Sequence, residues 1–224
     1  VYRIEHQSGP NAAAFVIGTA NSIAFTTDGV TAVDLPDPAT TGYGFDFNPT
    51  VDRIRVTTGT GLNFRVNQIT GAPVDGNNGG AVAVTGTNPD GNINGSGVTG
   101  VVGAAYTNNF SAPLNTTATT LYTLDSIADR LLIQNPPNAG TQTLPLAITL
   151  GGSPLDFSTF ACFDIGRGVN VATSNTAATG NGSAVLTVAG VTSLYTLNLT
   201  TGAATLVGPV AAGLVPLQGF TLGN

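Results

Sequence analysis

Lysine, methionine and tryptophan are absent from this 224-residue chain, and histidine and cysteine occur once each. Without lysine there is no Schiff-base amine, no P-loop lysine and no lysine–asparagine isopeptide staple, and trypsin-type cleavage at lysine is excluded. One histidine, His6, cannot supply a multi-histidine metal site, and any Ser-His-Asp or Cys-His site would have to use it. It follows a strand near the N-terminus beside turn residues, which favours an exposed turn over catalysis. One cysteine, Cys162, allows no internal disulfide, and its apolar setting Phe160-Ala161-Cys162-Phe163 reads as a buried structural thiol; an intermolecular disulfide is the alternative. With no methionine the chain is expected to be a processed product whose leader has been removed.

Charge is scarce as well. Six arginines face 12 acids, the net charge is -6, and only 8% of residues are charged. That balance argues against nucleic acid, whose binding rests on many basic phosphate contacts, and against an anionic membrane surface. No apolar run approaches the roughly 18 residues of a membrane span. What the chain has is Thr, Asn, Gly, Ala and Val, 42% hydrophobic residues and a length that can bury a substantial core. The expectation is a single all-β domain over residues 1–224, of a kind common on cell exteriors.

A four-fold pattern runs through it. Tyr2-Arg3-Ile4-Glu5, Phe64-Arg65-Val66-Asn67, Tyr122-Thr123-Leu124-Asp125 and Tyr195-Thr196-Leu197-Asn198 each place an aromatic, a spacer, an aliphatic and then an acid or amide before a small-residue turn. Strand alternation puts the aromatic and the aliphatic on one face. The Asp or Asn ends the strand because its side chain can bond its own turn backbone, and Gly71, Asp129 and Gly202 suit a corner of positive φ. This is one hairpin written four times.

A second element alternates with it: Gly44-Phe45-Asp46-Phe47, Gly103-Ala104-Ala105-Tyr106, Cys162-Phe163-Asp164-Ile165 and Gly219-Phe220-Thr221-Leu222. Small leading residues and continuous apolar character fit buried inner strands. Periods of about 45 to 70 residues with three or four strands each point to a β-propeller-like fold of four blades, or five, rather than a sandwich. The first hairpin has no inner strand before it and the last inner strand no hairpin after it. These terminal strands are therefore expected to complete a shared blade, within one chain or between chains. Long loops separate the repeats; 18–42 carries an extra hairpin signal around Asp28-Gly29, and 75–101 a short strand at Ala81-Val82-Ala83-Val84.

Gly44-Phe45-Asp46-Phe47-Asn48-Pro49-Thr50-Val51-Asp52-Arg53-Ile54-Arg55-Val56, Ala104-Ala105-Tyr106-Thr107-Asn108-Asn109, Gln134-Asn135-Pro136-Pro137-Asn138-Ala139-Gly140-Thr141 and the segment from Leu194 to Gly208 resemble a large bacterial family of secreted proteins. That family is a domain of unknown function with a propeller-like repeat, and the likeness covers roughly residues 40–224. Its members commonly carry a further N-terminal repeat, and this chain is expected to lack it and to start inside a blade. The resemblance implies an extracellular or cell-surface domain and brings no activity and no catalytic residues.

Two places could hold a metal. Asp46 and Asp164 share one position in the inner strands, so two carboxylates could meet in a central channel with Asn48 or Asn108 and hold Ca²⁺, in the manner of lactonase-type propellers. The plainer reading pairs them with Arg53 and Arg167, or has them cap turns. Asp90-Gly91-Asn92-Ile93-Asn94-Gly95 matches the first half of a calcium loop, but Val101 stands at its twelfth position, where a bidentate Glu is required, so a plain polar turn is favoured. Asn94, Asn109, Asn115, Asn181 and Asn198 begin Asn-x-Ser/Thr triplets, which a chain so rich in Asn and Thr yields by chance.

The leading expectation is a non-catalytic extracellular structural protein, a subunit of a surface filament or layer that assembles with its own copies through terminal strands. The alternative is a calcium-dependent hydrolase or ligand-binding propeller centred on Asp46 and Asp164. A glycan-adhesion module lacks its usual exposed tryptophan.

Overall fold

The computed structural model describes residues 1–6, 12–19, 21–76, 85–98, 100–110, 117–217 and 219–222. The strand expected at Ala81–Val84 and the triplet at Asn115 lie outside them. The described chain is all-β, in five open sheets. No described helix is long and apolar enough to cross a membrane.

All four expected hairpins form. Strand β1 (Tyr2–His6) pairs with β2 (Ala12–Val16), and a short pair, β3 (Phe25–Thr26) and β4 (Ala32–Val33), follows around Asp28. Asp28 ties that turn by accepting the N–H groups of Val30 and Thr31. Next come two four-stranded meanders. The first is β5 (Tyr43–Asn48), β6 (Arg53–Thr58), β7 (Asn63–Asn67) and β8 (Pro73–Val74). The second is β9 (Val101–Tyr106), β10 (Leu121–Asp125), β11 (Arg130–Gln134) and β12 (Gln142–Ala147). The last sheet has six strands in the order β14 (Ser153–Pro154), β13 (Thr149–Leu150), β18 (Ala203–Pro209), β17 (Val191–Asn198), β16 (Asn181–Val188) and β15 (Ala161–Asp164). Its one parallel contact joins β13 to β18, so the chain leaving the second meander extends the next sheet.

The turn chemistry read from the sequence is what closes these hairpins. Asn67 accepts the N–H groups of Ile69 and Thr70, Asn198 those of Thr200 and Thr201, and Asp125 that of Ile127. The corners that follow, Gly71, Gly202 and Asp129, have φ of 68°, 74° and 52°. Three of the hairpins bury their signature pair: Phe64 and Val66, Tyr122 and Leu124, and Tyr195 and Leu197 are at most 5% exposed. In the first hairpin the equivalent Tyr2 and Ile4 are 65% and 64% exposed.

The hairpins of the second meander and of the six-stranded sheet share one core, in which Tyr122, Leu124 and Leu131 meet Phe163, Leu186 and Tyr195. The first meander has its own, built on Ile54, Phe64 and Val66 with Phe25, whose ring lies 5.1 Å from that of Phe64. β5, β9 and β15 pack against one another as the innermost strands of their sheets. Two expectations need correction here. Residues 219–222 form no strand, and β5 is only half-buried, with Phe45 and Phe47 on the surface. Among the described residues the first hairpin is a two-stranded sheet that leaves Phe45 and Phe47 of β5 exposed.

Candidate functional site

All four look-alike tetrapeptides reach one place. A cavity of about 250 Å³ is lined by Gly44 and Phe45, Gly103 and Ala104, Cys162 and Phe163, and Gly219 and Phe220, together with Tyr43. Glycine is required at position 44 by close approach: a Cβ there would lie 2.7 Å from the carbonyl carbon of Gly103 and 2.8 Å from the nitrogen of Ala104. β5 therefore rests backbone to backbone on β9.

The two aspartates act across these contacts in the same way. Asp46 accepts the N–H of Phe47 through Oδ1 (2.7 Å) and that of Tyr106 through Oδ2 (2.6 Å). Asp164 accepts the N–H of Ile165 through Oδ1 (2.7 Å) and that of Leu222 through Oδ2 (2.6 Å), with the Thr221 hydroxyl at 3.2 Å. Tyr106 and Leu222 occupy the same position of their tetrapeptides, so the first is stapled to the second as the third is to the fourth. Burial pushes Asp46 up to about 8; the Asp164 charge adds to this, and the two backbone donors oppose it. Burial likewise raises Asp164, against the donors from Leu222, Ile165 and Thr221. Neither takes the arginine partner weighed for it: Arg53 donates to the carbonyls of Val51 and Asp52, and Arg167 is exposed.

Chemically this centre is a clamp on backbone. Cys162 is a free, buried thiol that burial pushes up to about 12, which suppresses the nucleophilic thiolate. His6 ends β1, and its side chain lies outside those described. Among the described residues no three His, Cys, Asp or Glu side chains gather as a metal site would require.

A second cluster lies between the first two meanders. Arg55 and Arg65 stand directly opposite each other on β6 and β7, and Asp90 lies between them with no exposed surface. Its Oδ2 accepts Arg55 Nη1 (2.5 Å) and Arg65 Nε (2.7 Å), and its Oδ1 accepts Arg65 Nη2 (2.7 Å). Arg55 also donates to Asn63 (2.9 Å) and Asn138 (2.6 Å). The chain of bonds runs on through Gln134 and Gln142 to Thr123, all buried. Both oxygens of Asp90, the first ligand position of the calcium-like loop, are thus spent on two guanidinium groups. Asn94 donates to the carbonyls of Asn92 (2.8 Å) and Ala139 (2.7 Å), which stitches that loop to the 137–142 turn.

Reading by motif missed this cluster, although a signal was present. In the hairpin Ile54-Arg55-Val56 / Phe64-Arg65-Val66 the apolar residues fix the register, and that register sets two arginines face to face. Like charges directly opposite are destabilising and call for an acid between them.

A third feature is a mostly apolar groove of about 640 Å³ between the first hairpin and the first meander, lined by Tyr2, Ile4, Phe45, Phe47 and Ile69 together with Arg3, Gln68 and Thr221. Tyr2, Ile4, Ala14 and Val16 share one face of that hairpin, while Arg3 stacks on Phe15 on the other, 5.5 Å from the ring centre.

No curated protein matches the chain. A family model does, over residues 12–221, and so takes in β2 of the first hairpin, well before the start near residue 40 that the motifs had marked. The chain accordingly belongs to the family described as a domain of unknown function, DUF4394.

Proposed function

We propose that this chain is a non-catalytic structural module of the cell exterior that assembles with further copies of itself through its first hairpin. The observation that carries this reading is the exposure of Tyr2 and Ile4, whose equivalents in the other three hairpins are at most 5% exposed. Burying a large apolar side chain is worth about 1.5–3 kcal/mol, so a strand seated against this pair and against Phe45 and Phe47 gains several kcal/mol. Among the described residues β1 and β2 pair only with each other, which leaves backbone edges for strand addition.

In this reading the sheets are blades of a four-bladed ring around the Asp46–Asp164 axis. The fourth blade consists of the first hairpin and residues 219–222, finished in the same molecule or by a neighbour. A contact in which a strand edge of one copy enters the next copy's groove does not close on itself and yields fibres. The scarcity of charge and the absence of lysine suit close packing outside the cell.

The test is the mass of the purified chain against concentration, with negative-stain microscopy of the same material. Assembly into multiples of 22.4 kDa, abolished by Tyr2→Arg with Ile4→Glu, is the expected result. A concentration-independent monomer would overturn the proposal.

A further inference from the structure

Beside the buried arginines lies an open cavity of about 300 Å³. It is lined by Asn48 at the end of β5, Thr50 from the turn that follows, Arg55 and Arg65 from the first meander, and Asn138 from the 137–142 turn. No Asp or Glu lines it, in a chain with twice as many acids as bases.

Hydrogen-bond accounting shows what these groups have left to offer. Asn48 Oδ1 accepts both the N–H (2.9 Å) and the hydroxyl (2.6 Å) of Thr50. Asn138 Oδ1 accepts Arg55 Nη2 (2.6 Å). Arg65 gives Nε and Nη2 to Asp90, at 2.7 Å each. Asn48 Nδ2, Asn138 Nδ2 and Arg65 Nη1 are then donors with no partner among the described residues. These three donors remain to be satisfied, and hydrogen-bond donors are what an anionic oxygen group needs. Asp90 and Asp75 both act on Arg65, so part of its charge is already offset, and what remains acts together with the amide donors of Asn48 and Asn138 in the same lining. The rest of the wall is short and hydroxylated or amidic: Thr119, Ser174 and Asn175, next to the ring carbons of Pro136 and Pro137. Ser174 Oγ already accepts the N–H of Thr119 (3.3 Å), which leaves its proton to give.

We infer that this cavity binds the carboxylate of a small hydroxylated acid, a uronic-acid residue of an acidic glycan. Charge and amide donors here do the task that a stacking tryptophan does in other glycan-binding modules, and the absence of tryptophan ceases to count against such a ligand. The inference is independent of the hairpin, which is a different part of the molecule.

The experiment titrates the full chain with D-glucuronate, D-glucose and inorganic phosphate, followed by amide chemical shifts and calorimetry. Saturable glucuronate binding that weakens with salt, with none for glucose, is expected. Asn48→Asp keeps the Oδ1 acceptor that the Thr50 turn uses and replaces the remaining donor by an acceptor. It should lower glucuronate affinity by at least about tenfold with an unchanged melting temperature. Should that variant melt early, Asn175→Asp, on a half-buried residue at φ 61°, is expected to weaken binding in the same direction. No saturable glucuronate binding, equal binding by glucose, equal binding by both variants, or binding of phosphate alone would overturn the inference.

Discussion

Asp90 lies between two guanidinium groups with none of its surface in water, so its loss would leave buried charge without a partner. Removing one member of a buried ion pair leaves an uncompensated charge and costs about 3–5 kcal/mol. Asp90→Asn is therefore expected to lower the unfolding free energy from denaturant titration by that amount, through a lower midpoint at an unchanged slope. Asp46 makes the opposite case. Its folded-state value of about 8 lies above the ordinary 3.8, so between these values the folded chain holds a proton that the unfolded chain has released. The stability this contributes is full below pH 3.8 and is lost as pH rises to about 8. Thermal melts of Asp46→Asn should show a shallower fall over that window than the unaltered chain; an identical slope would remove Asp46 from the account. These roles were partly legible. The shared position of Asp46 and Asp164 was visible, but their partners are backbone N–H groups of another repeat, which no side-chain pattern displays. Asp90 was read with its nearest neighbours, Asn92 and Asn94, whereas its partners sit 35 and 25 residues away.

At the scale of elements, the hairpins were the legible part. Their register follows from alternation, and their ends from Asx turns that local sequence specifies. Asn198 accepts two turn N–H groups, and a net hydrogen bond is worth about 0.5–1.5 kcal/mol. Asn198→Ala is accordingly predicted to lower the melting temperature by a few degrees, on the order of 2–4 °C per kcal/mol for a chain of this size. The same change at Asn67 should act alike, since Asn67 holds the equivalent turn. Inner strands were less legible. Continuous apolar character predicts burial, and β9 and β15 are buried throughout, yet β5 is not. What covers a strand is decided by the next sheet. Nothing in Phe45 or Phe47 says that this sheet has only two strands.

For the whole molecule, the sequence periodicity is four-fold while burial is three-fold. The three meander-type hairpins have found neighbours; the first presents the same Tyr-x-Ile face to solvent over a groove bordered by Thr221. A strand of another copy seated in the groove would remove that mismatch. Light scattering across a concentration series tests this most directly, with the unaltered chain beside the Tyr2→Arg, Ile4→Glu variant. The prediction is that the unaltered chain grows beyond 22.4 kDa and the variant stays at that mass with the same melting temperature. A single mass of 22.4 kDa for both, at every concentration, would contradict it.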